Sequence, residues 1–248
     1  MKKVFALSAL AVAFSSNVLA DSSYVTGNLQ AHTDDLHGSK MTSTLEAGHT
    51  FDFDFGGFTV YTEIDGIQLG ELTTERQEIG QINTNGSSAN PAWTIGGEQA
   101  FNINDNLWVA AGYQHLVVEG DTVQYRPLVK IGYNFDNGIA ISNRTRAHIN
   151  ENSDLSTDVR MDNRIAYTVN NELTLSYNNV YVFAGNESDK GNGVMKKQDS
   201  MDHELRATWT RNGVQPYFEY RSQANGVKDS TGSNIDNHAF VFGASYGF

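Results

Sequence analysis

The chain has 248 residues, no cysteine and a formal net charge of −12 at pH 7. Because nucleic acid binding requires a basic surface, no nucleic acid partner is expected. The lack of cysteine excludes a disulfide framework and a thiolate zinc site. The sequence predicts no cofactor and no metal site.

The first twenty residues have the pattern of a secretory signal peptide. Lys2 and Lys3 form a charged start, residues 4–14 are apolar, and Val18-Leu19-Ala20 is a small-residue cleavage pattern. We therefore predict a signal peptide at residues 1–20 and one mature domain at residues 21–248. No later stretch approaches the 18 or so consecutive apolar residues of a spanning helix, so this domain would cross a membrane only with strands.

From residue 21 onward, apolar and polar side chains alternate with the period of two that is typical of β-strands. Twelve strands are predicted, at residues 24–32, 41–52, 58–67, 93–103, 107–118, 124–135, 139–150, 159–169, 172–183, 201–210, 214–223 and 236–248. Soluble sandwiches also consist of regular short strands, so the strand count alone leaves two fold classes open.

The connections between the predicted strands distinguish these two classes. Every second connection is a tight turn rich in Asn, Asp and Gly, such as Asp136-Asn137-Gly138. The intervening connections are mostly longer, notably residues 68–92, 185–198 and 224–235. Short turns on one side and long loops on the other are typical of outer-membrane barrels and not of Greek-key sandwiches.

The last predicted strand supports the same fold. One of its faces carries His238, Phe240, Phe242, Ala244, Tyr246 and Phe248. As an ordinary edge strand it would expose a long apolar edge to aggregation, whereas pairing with the first strand removes that edge. We predict an all-β fold: a transmembrane antiparallel up-and-down β-barrel of 12 strands in the bacterial outer membrane, with short periplasmic turns and longer extracellular loops.

If the apolar face of each strand meets lipid, the other face lines the lumen, and charge is distributed unevenly along it. Residues 21–125 contain two basic and fifteen acidic residues, whereas residues 126–248 contain thirteen and fourteen. The inward acids of strands two to four are Glu46, Glu63, Asp65 and Glu98. The inward basic residues of strands six to eight are Arg126, Lys130, Arg144, Arg146, His148, Arg160 and Arg164. Strands ten and eleven add Arg206 and Arg221, partly offset by Asp202, Glu204 and Glu219.

Opposed acidic and basic arcs set a transverse field, and tracks of charged side chains are a means by which pores select solutes. Guanidinium groups bind carboxylates through two parallel hydrogen bonds, so an arginine track suits elongated anionic solutes. The inward Tyr61 and Tyr217 would offer ring faces to sugars. Alternatively, the arginines pair with inward carboxylates and only brace the wall.

Several local motifs resemble a known family. Tyr125-Arg126-Pro127, Ile131-Gly132-Tyr133, Phe135-Asp136, Gly138 and Arg144-x-Arg146 are similar to the oligogalacturonate-specific monomeric porins of the KdgM type. The resemblance implies a monomeric twelve-stranded barrel that passes acidic sugars along basic tracks. It assigns that role to Arg126, Lys130, Arg144, Arg146, Arg160 and Arg164. The inward acids of the first half depart from a wholly basic pore.

We therefore expect a porin for the passive diffusion of acidic oligosaccharides, surrounded by outer-membrane lipid. The alternatives are a general or nucleoside-type porin and a structural or adhesin barrel. An enzyme is not expected. A barrel hydrolase would need a lipid-facing histidine near serine and asparagine, and the sequence places none of the outward His49, His115, His203 and His238 in such a cluster.

Overall fold

The computed structural model describes residues 22–33, 39–69, 90–185, 199–225, 227–228, 234–235 and 237–248. These residues form the strands β1 (Ser22–His32), β2 (Met41–Phe53), β3 (Gly56–Gln68), β4 (Ala92–Asn102), β5 (Leu107–Val118), β6 (Asp121–Asn134), β7 (Ile139–Asn150), β8 (Asp158–Thr168), β9 (Leu173–Phe183), β10 (Ser200–Trp209), β11 (Gln215–Asn225), β12 (Val227–Lys228), β13 (Asn234–Ile235) and β14 (His238–Gly247). The described ranges contain no helix long and apolar enough to cross a membrane.

Twelve of these strands close into one antiparallel barrel. Strands β1 to β11 pair in sequence order, β11 pairs with β14, and β14 pairs with β1. Ser23 and Phe248 exchange two backbone hydrogen bonds, with N···O distances of 2.8 and 2.9 Å, at the seam. The predicted twelve-stranded barrel is confirmed. The connection predicted at 224–235 also contains the small β12–β13 hairpin, and the long connections 68–92 and 185–198 lie mostly outside the described residues.

The outward face of the barrel is apolar. Ile95, Val129 and Phe242 are 56, 57 and 59 % exposed, and the other exposed large apolar side chains of the strands share their face. In water such a surface would drive association, whereas in a bilayer it meets hydrocarbon. At the turn end of the wall, the guanidinium of Arg211 lies 4.7 Å from the ring centre of Trp209. Such amphipathic pairs suit the membrane–water interface.

Asparagine side chains shape the short turns. Asn104 Oδ1 accepts hydrogen bonds from the backbone N–H groups of Asn106 and Leu107, at 2.9 and 2.8 Å. Asn170 Oδ1 accepts the equivalent pair from residues 172 and 173. These bonds reproduce a backbone turn within the side chain, which is why Asn recurs at this end of the barrel.

Four inward aromatic rings lie over glycines of the neighbouring strand. The cross-strand pairs are Tyr24–Gly48, Tyr61–Gly96, Trp108–Gly132 and Tyr217–Gly243. In each pair, a Cβ atom added to the glycine would overlap the ring. The missing side chain therefore lets the ring lie against the wall.

The first prediction concerns the Tyr61–Gly96 pair. Gly96→Ala should lift the Tyr61 ring and break its 2.7 Å hydrogen bond from Gln114 Nε2, destabilising the barrel by about 1–3 kcal/mol. Gly97→Ala is the matched control, because its added Cβ would make an ordinary 3.6 Å contact with Phe58 on the outward face. Urea unfolding in lipid vesicles measures both changes. Equal stability of the two variants would contradict the packing role of Gly96.

Candidate functional site

The eight basic residues predicted to line the lumen all lie on the inward side of the barrel wall. They occupy β6 (Arg126, Lys130), β7 (Arg144, Arg146), β8 (Arg160, Arg164), β10 (Arg206) and β11 (Arg221). On three adjacent strands, Lys130 stands directly opposite Arg144, and Arg146 directly opposite Arg160. Like charges in direct register repel each other, so this arc needs compensation from its surroundings.

Carboxylates on the wall neutralise part of the basic arc. Lys130 Nζ lies 2.6 Å from Glu98 Oε2, on β4. Asp162 binds two guanidiniums at once: Arg144 Nε at 2.9 Å and Arg160 Nη2 at 2.7 Å. These pairs are the bracing alternative that the sequence leaves open, and they account for three of the six basic residues of β6–β8. Arg164 donates a 3.2 Å hydrogen bond to Ser176 Oγ.

A second ion-pair cluster joins β10 and β11. Glu219 is 2 % exposed and accepts from Arg206 Nε at 2.6 Å and from Arg221 Nε at 2.5 Å. The Arg206 guanidinium also lies 4.2 Å from the ring centre of Tyr217. The ring also packs against Gly243, and Tyr217 is only 7 % exposed. The prediction that Tyr217 offers a free ring face to sugars is therefore wrong.

Two arginines of the basic arc are held by neutral acceptors. Arg126 Nε donates to Gln124 Oε1 at 2.7 Å. Arg146 Nε donates to His148 Nε2 at 2.9 Å, and its Nη1 donates to Gln114 Oε1. Within the described part of the chain, neither Arg126 nor Arg146 forms an ion pair. A neutral acceptor fixes the direction of a guanidinium without cancelling its charge, so the field of both groups reaches the lumen.

The neutral acceptors are themselves held in place by further polar contacts. Gln114 Nε2 donates to the Tyr61 hydroxyl at 2.7 Å, and Gln124 Nε2 donates to Asn150 Oδ1 at 2.9 Å. The first bond links β3, β5 and β7 through Arg146 along the inner wall. Nothing in the sequence marks Gln114 and Gln124 as site residues, because their role depends on cross-strand register.

An acidic arc lies on the other side of the lumen. Glu46 stands opposite Glu63 in register and accepts from the Tyr24 hydroxyl at 2.7 Å. Asp65 accepts from Thr44 Oγ1 at 2.5 Å. No ion pair involves these three carboxylates in the ranges that the structure describes. Strands β2 and β8 are six positions apart in a ring of twelve, so Glu46 lies across the lumen from β8, whereas β3 and β7 are four positions apart.

Outward histidines have polar neighbours that the sequence does not reveal. Ser23 Oγ lies 2.8 Å from His49 Nδ1. His203 of β10 is the cross-strand partner of Asn179 on β9 and of Ser222 on β11. The prediction that no outward histidine lies near both serine and asparagine is wrong for His203, because its neighbours come from other strands. Among the described residues, no carboxylate or amide group bonds to His49, and no cluster of three or more His, Asp or Glu is placed to hold a metal ion.

A family model for the oligogalacturonate-specific porin protein (KdgM) matches residues 14–246. No curated protein sequence matches the chain significantly.

Solved structures share the barrel at low sequence identity. A KdgM porin in complex with disordered oligogalacturonate is 13 % identical, with a TM-score of 0.57 and coverage of 92 % of this chain and 99 % of that chain. The NanC porin is 14 % identical, with a TM-score of 0.61 and coverage of 90 % and 98 %. The COG4313 outer membrane channel from Pseudomonas putida F1 is 10 % identical, with a TM-score of 0.66 and coverage of 96 % and 99 %. At these identities the similarity shows the fold alone.

The second prediction concerns Asp162, which holds Arg144 and Arg160 together. Asp162→Asn removes both ion pairs and should lower the free energy of unfolding by about 1.5–3 kcal/mol, the usual contribution of hydrogen bonds to charged groups. Asp202→Asn is the control: it removes one inward carboxylate that forms no ion pair with any described residue. Urea unfolding of the two variants should differ. If Asp202→Asn costs as much as Asp162→Asn, the ion pairs of Asp162 are not the cause.

Proposed function

Because this chain belongs to the oligogalacturonate-specific porin (KdgM) family of outer-membrane channels, we propose that it passes acidic oligosaccharides across the outer membrane by passive diffusion. In this proposal residues 1–20 are removed on export, and residues 21–248 act as a monomeric channel surrounded by lipid. No reaction and no cofactor is involved. The solutes are oligogalacturonate-like chains of carboxylated sugars.

The observation that carries this proposal is the pair of arginines held by neutral acceptors. Arg126 and Arg146 keep their positive charge in the lumen because amide and imidazole groups, not carboxylates, fix them. A carboxylate of a passing sugar can bind the half-buried Arg126, whereas Arg146 is only 6 % exposed and attracts that carboxylate through its field. Each such hydrogen bond is worth about 1.5–3 kcal/mol, which attracts the solute but still lets it leave.

The accessible members of the ion-paired clusters extend this path. The side chains of Arg160 and Arg221 are 29 and 33 % exposed, although each also contacts a wall carboxylate. A polyanion can therefore exchange one guanidinium for the next as it advances. The oligogalacturonate in the complex with the structurally similar KdgM porin supports the same class of solute. We propose Arg126, Lys130, Arg144, Arg146, Arg160, Arg164, Arg206 and Arg221 as the residues that bind the solute or attract it by their charge.

One observation favours a second candidate, a general porin with weak charge selectivity. Glu46, Glu63 and Asp65 form no ion pair in the described part of the chain, and together they oppose the basic arc. A transverse field of this kind orients any dipolar solute that passes. The two candidates differ in the sign and strength of ion selectivity. A nucleoside-type porin or a closed structural barrel has less support.

The third prediction tests the acidic-sugar proposal. We expect the wild-type channel in a planar bilayer to prefer anions in a salt gradient, and galacturonate oligomers to reduce the ion current. In the double variant Arg126→Gln/Arg146→Gln, we expect anion preference to fall and the oligomer concentration for half-maximal block to rise about tenfold. That factor corresponds to a loss of about 1.4 kcal/mol.

Arg211→Gln is the control for this measurement, because Arg211 lies outside the lumen beside Trp209 and its removal changes the net charge equally per residue. It should leave selectivity and block unchanged. Cation preference in the wild type would reject the acidic-sugar proposal and favour the general porin. A lack of conductance would favour a closed structural barrel.

A further inference from the structure

One continuous row of outward side chains is polar across six neighbouring strands, on a wall that is otherwise mostly apolar. Successive cross-strand partners on β7, β8, β9, β10, β11 and β14 form what we call the polar row: Asn143, Asn163, Asn179, His203, Ser222 and His238. The row starts near the middle of β7 and β8 and reaches the extracellular end at β14. Polar side chains that face hydrocarbon are costly, and in membrane proteins they mark functional positions.

Only some polar groups of the row form hydrogen bonds with other side chains of the wall. Asn143 Nδ2 donates to Asn163 Oδ1 at 2.7 Å, and His203 Nδ1 lies 2.6 Å from the Tyr177 hydroxyl. Within the described residues, the Asn179 amide, the Ser222 hydroxyl and His203 Nε2 have no hydrogen-bond partner. A polar group left unpaired in hydrocarbon costs several kcal/mol. The groups at the centre of the polar row therefore need a hydrogen-bond partner from outside the barrel.

An apolar groove lies next to these unpaired groups, on their periplasmic side. It has a volume of about 510 Å³ and spans the outward wall from β8 to β11. Ala207 stands in register between the much larger Leu175 and Phe218, which creates the depression. Leu205 and Tyr220 separate its floor from the polar row. This surface is therefore polar on its extracellular side and apolar on its periplasmic side.

We propose that the polar row and this groove form a binding site for one acylated lipid of the outer leaflet. An acyl chain of the lipid fills the groove, and the ester or amide group that links this chain to the headgroup bonds to Asn179, His203 and Ser222. The outer leaflet is the source because His203 lies nearer to Ser200, at the extracellular end of β10, than to Trp209 at the periplasmic end.

The chemistry of the surface selects the linkage region of the lipid over its phosphates. The polar row contains no Lys, Arg, Asp or Glu, and no described outward side chain of β7–β11 or β14 is a lysine or an arginine. Amide, hydroxyl and imidazole groups can form hydrogen bonds with the carbonyl and hydroxyl groups of a lipid's linkage region. A second copy of the barrel is a poorer fit: two convex walls meet along a narrow strip and would leave the groove open, whereas a flexible chain can enter it.

The fourth prediction tests this site by native mass spectrometry of the barrel purified from outer membranes in a mild detergent. We expect one acylated lipid to stay bound at collision energies that remove all others. Ala207→Phe fills the groove, and Asn179→Leu/Ser222→Ala removes two of the unpaired groups. Each variant should reduce the ratio of lipid-bound to lipid-free barrel about tenfold, equivalent to about 1.4 kcal/mol.

Ala111→Phe is the matched control, since Ala111 is an exposed outward alanine on β5, away from the polar row. It should retain the lipid, and all variants should keep the heat-dependent gel mobility of a folded barrel. The proposal is overturned if the wild type keeps no lipid, if Ala111→Phe loses it as Ala207→Phe does, or if the retained mass is a second barrel. Channel conductance should not change in these variants, so this test is independent of the proposed solute.

Discussion

Every other feature of this protein depends on the pairing of all backbone N–H and C=O groups of the wall. Hydrocarbon offers these groups no partners, so a sheet can stand in a membrane only if it has no edge. The seam between β1 and β14, where Ser23 and Phe248 exchange backbone hydrogen bonds, meets this requirement. Closure also fixes the register of all strands, which in turn decides which side chains become neighbours inside and outside the barrel.

That register produces two kinds of cation in the lumen. Asp162 and Glu219 each hold two guanidiniums, so these clusters stiffen the wall, and each carboxylate balances one of its two positive charges. Arg126 and Arg146 are oriented by glutamine and histidine and keep their charge. Bracing is thus confined to the ion-paired residues, whereas the proposed attraction of solutes starts at Arg126 and Arg146 and extends over the accessible members of the ion-paired clusters.

The alternation of the sequence, together with the lengths of its connections, was sufficient to predict the barrel, its twelve strands and its short turns. It was insufficient for contacts between strands distant in sequence. The pairing of Arg144 with Asp162, the covering of Tyr217 by Arg206 and the position of His203 between Asn179 and Ser222 all depend on register. Register follows from the side chains of both strands and the turn between them, and no single strand specifies it.

The slope of the polar row has a consequence for the bilayer. Along β7 and β8 the row lies near mid-wall, with the exposed Ile149 and Val159 on its extracellular side, whereas at β14 it reaches the rim, so the depth of these polar groups in the hydrocarbon varies around the circumference. A membrane of uniform hydrophobic thickness cannot match such a wall with the barrel upright. We expect the barrel axis to tilt, or the bilayer to thin locally, on the side of β7–β9. The barrel would then have a preferred direction of tilt in its membrane.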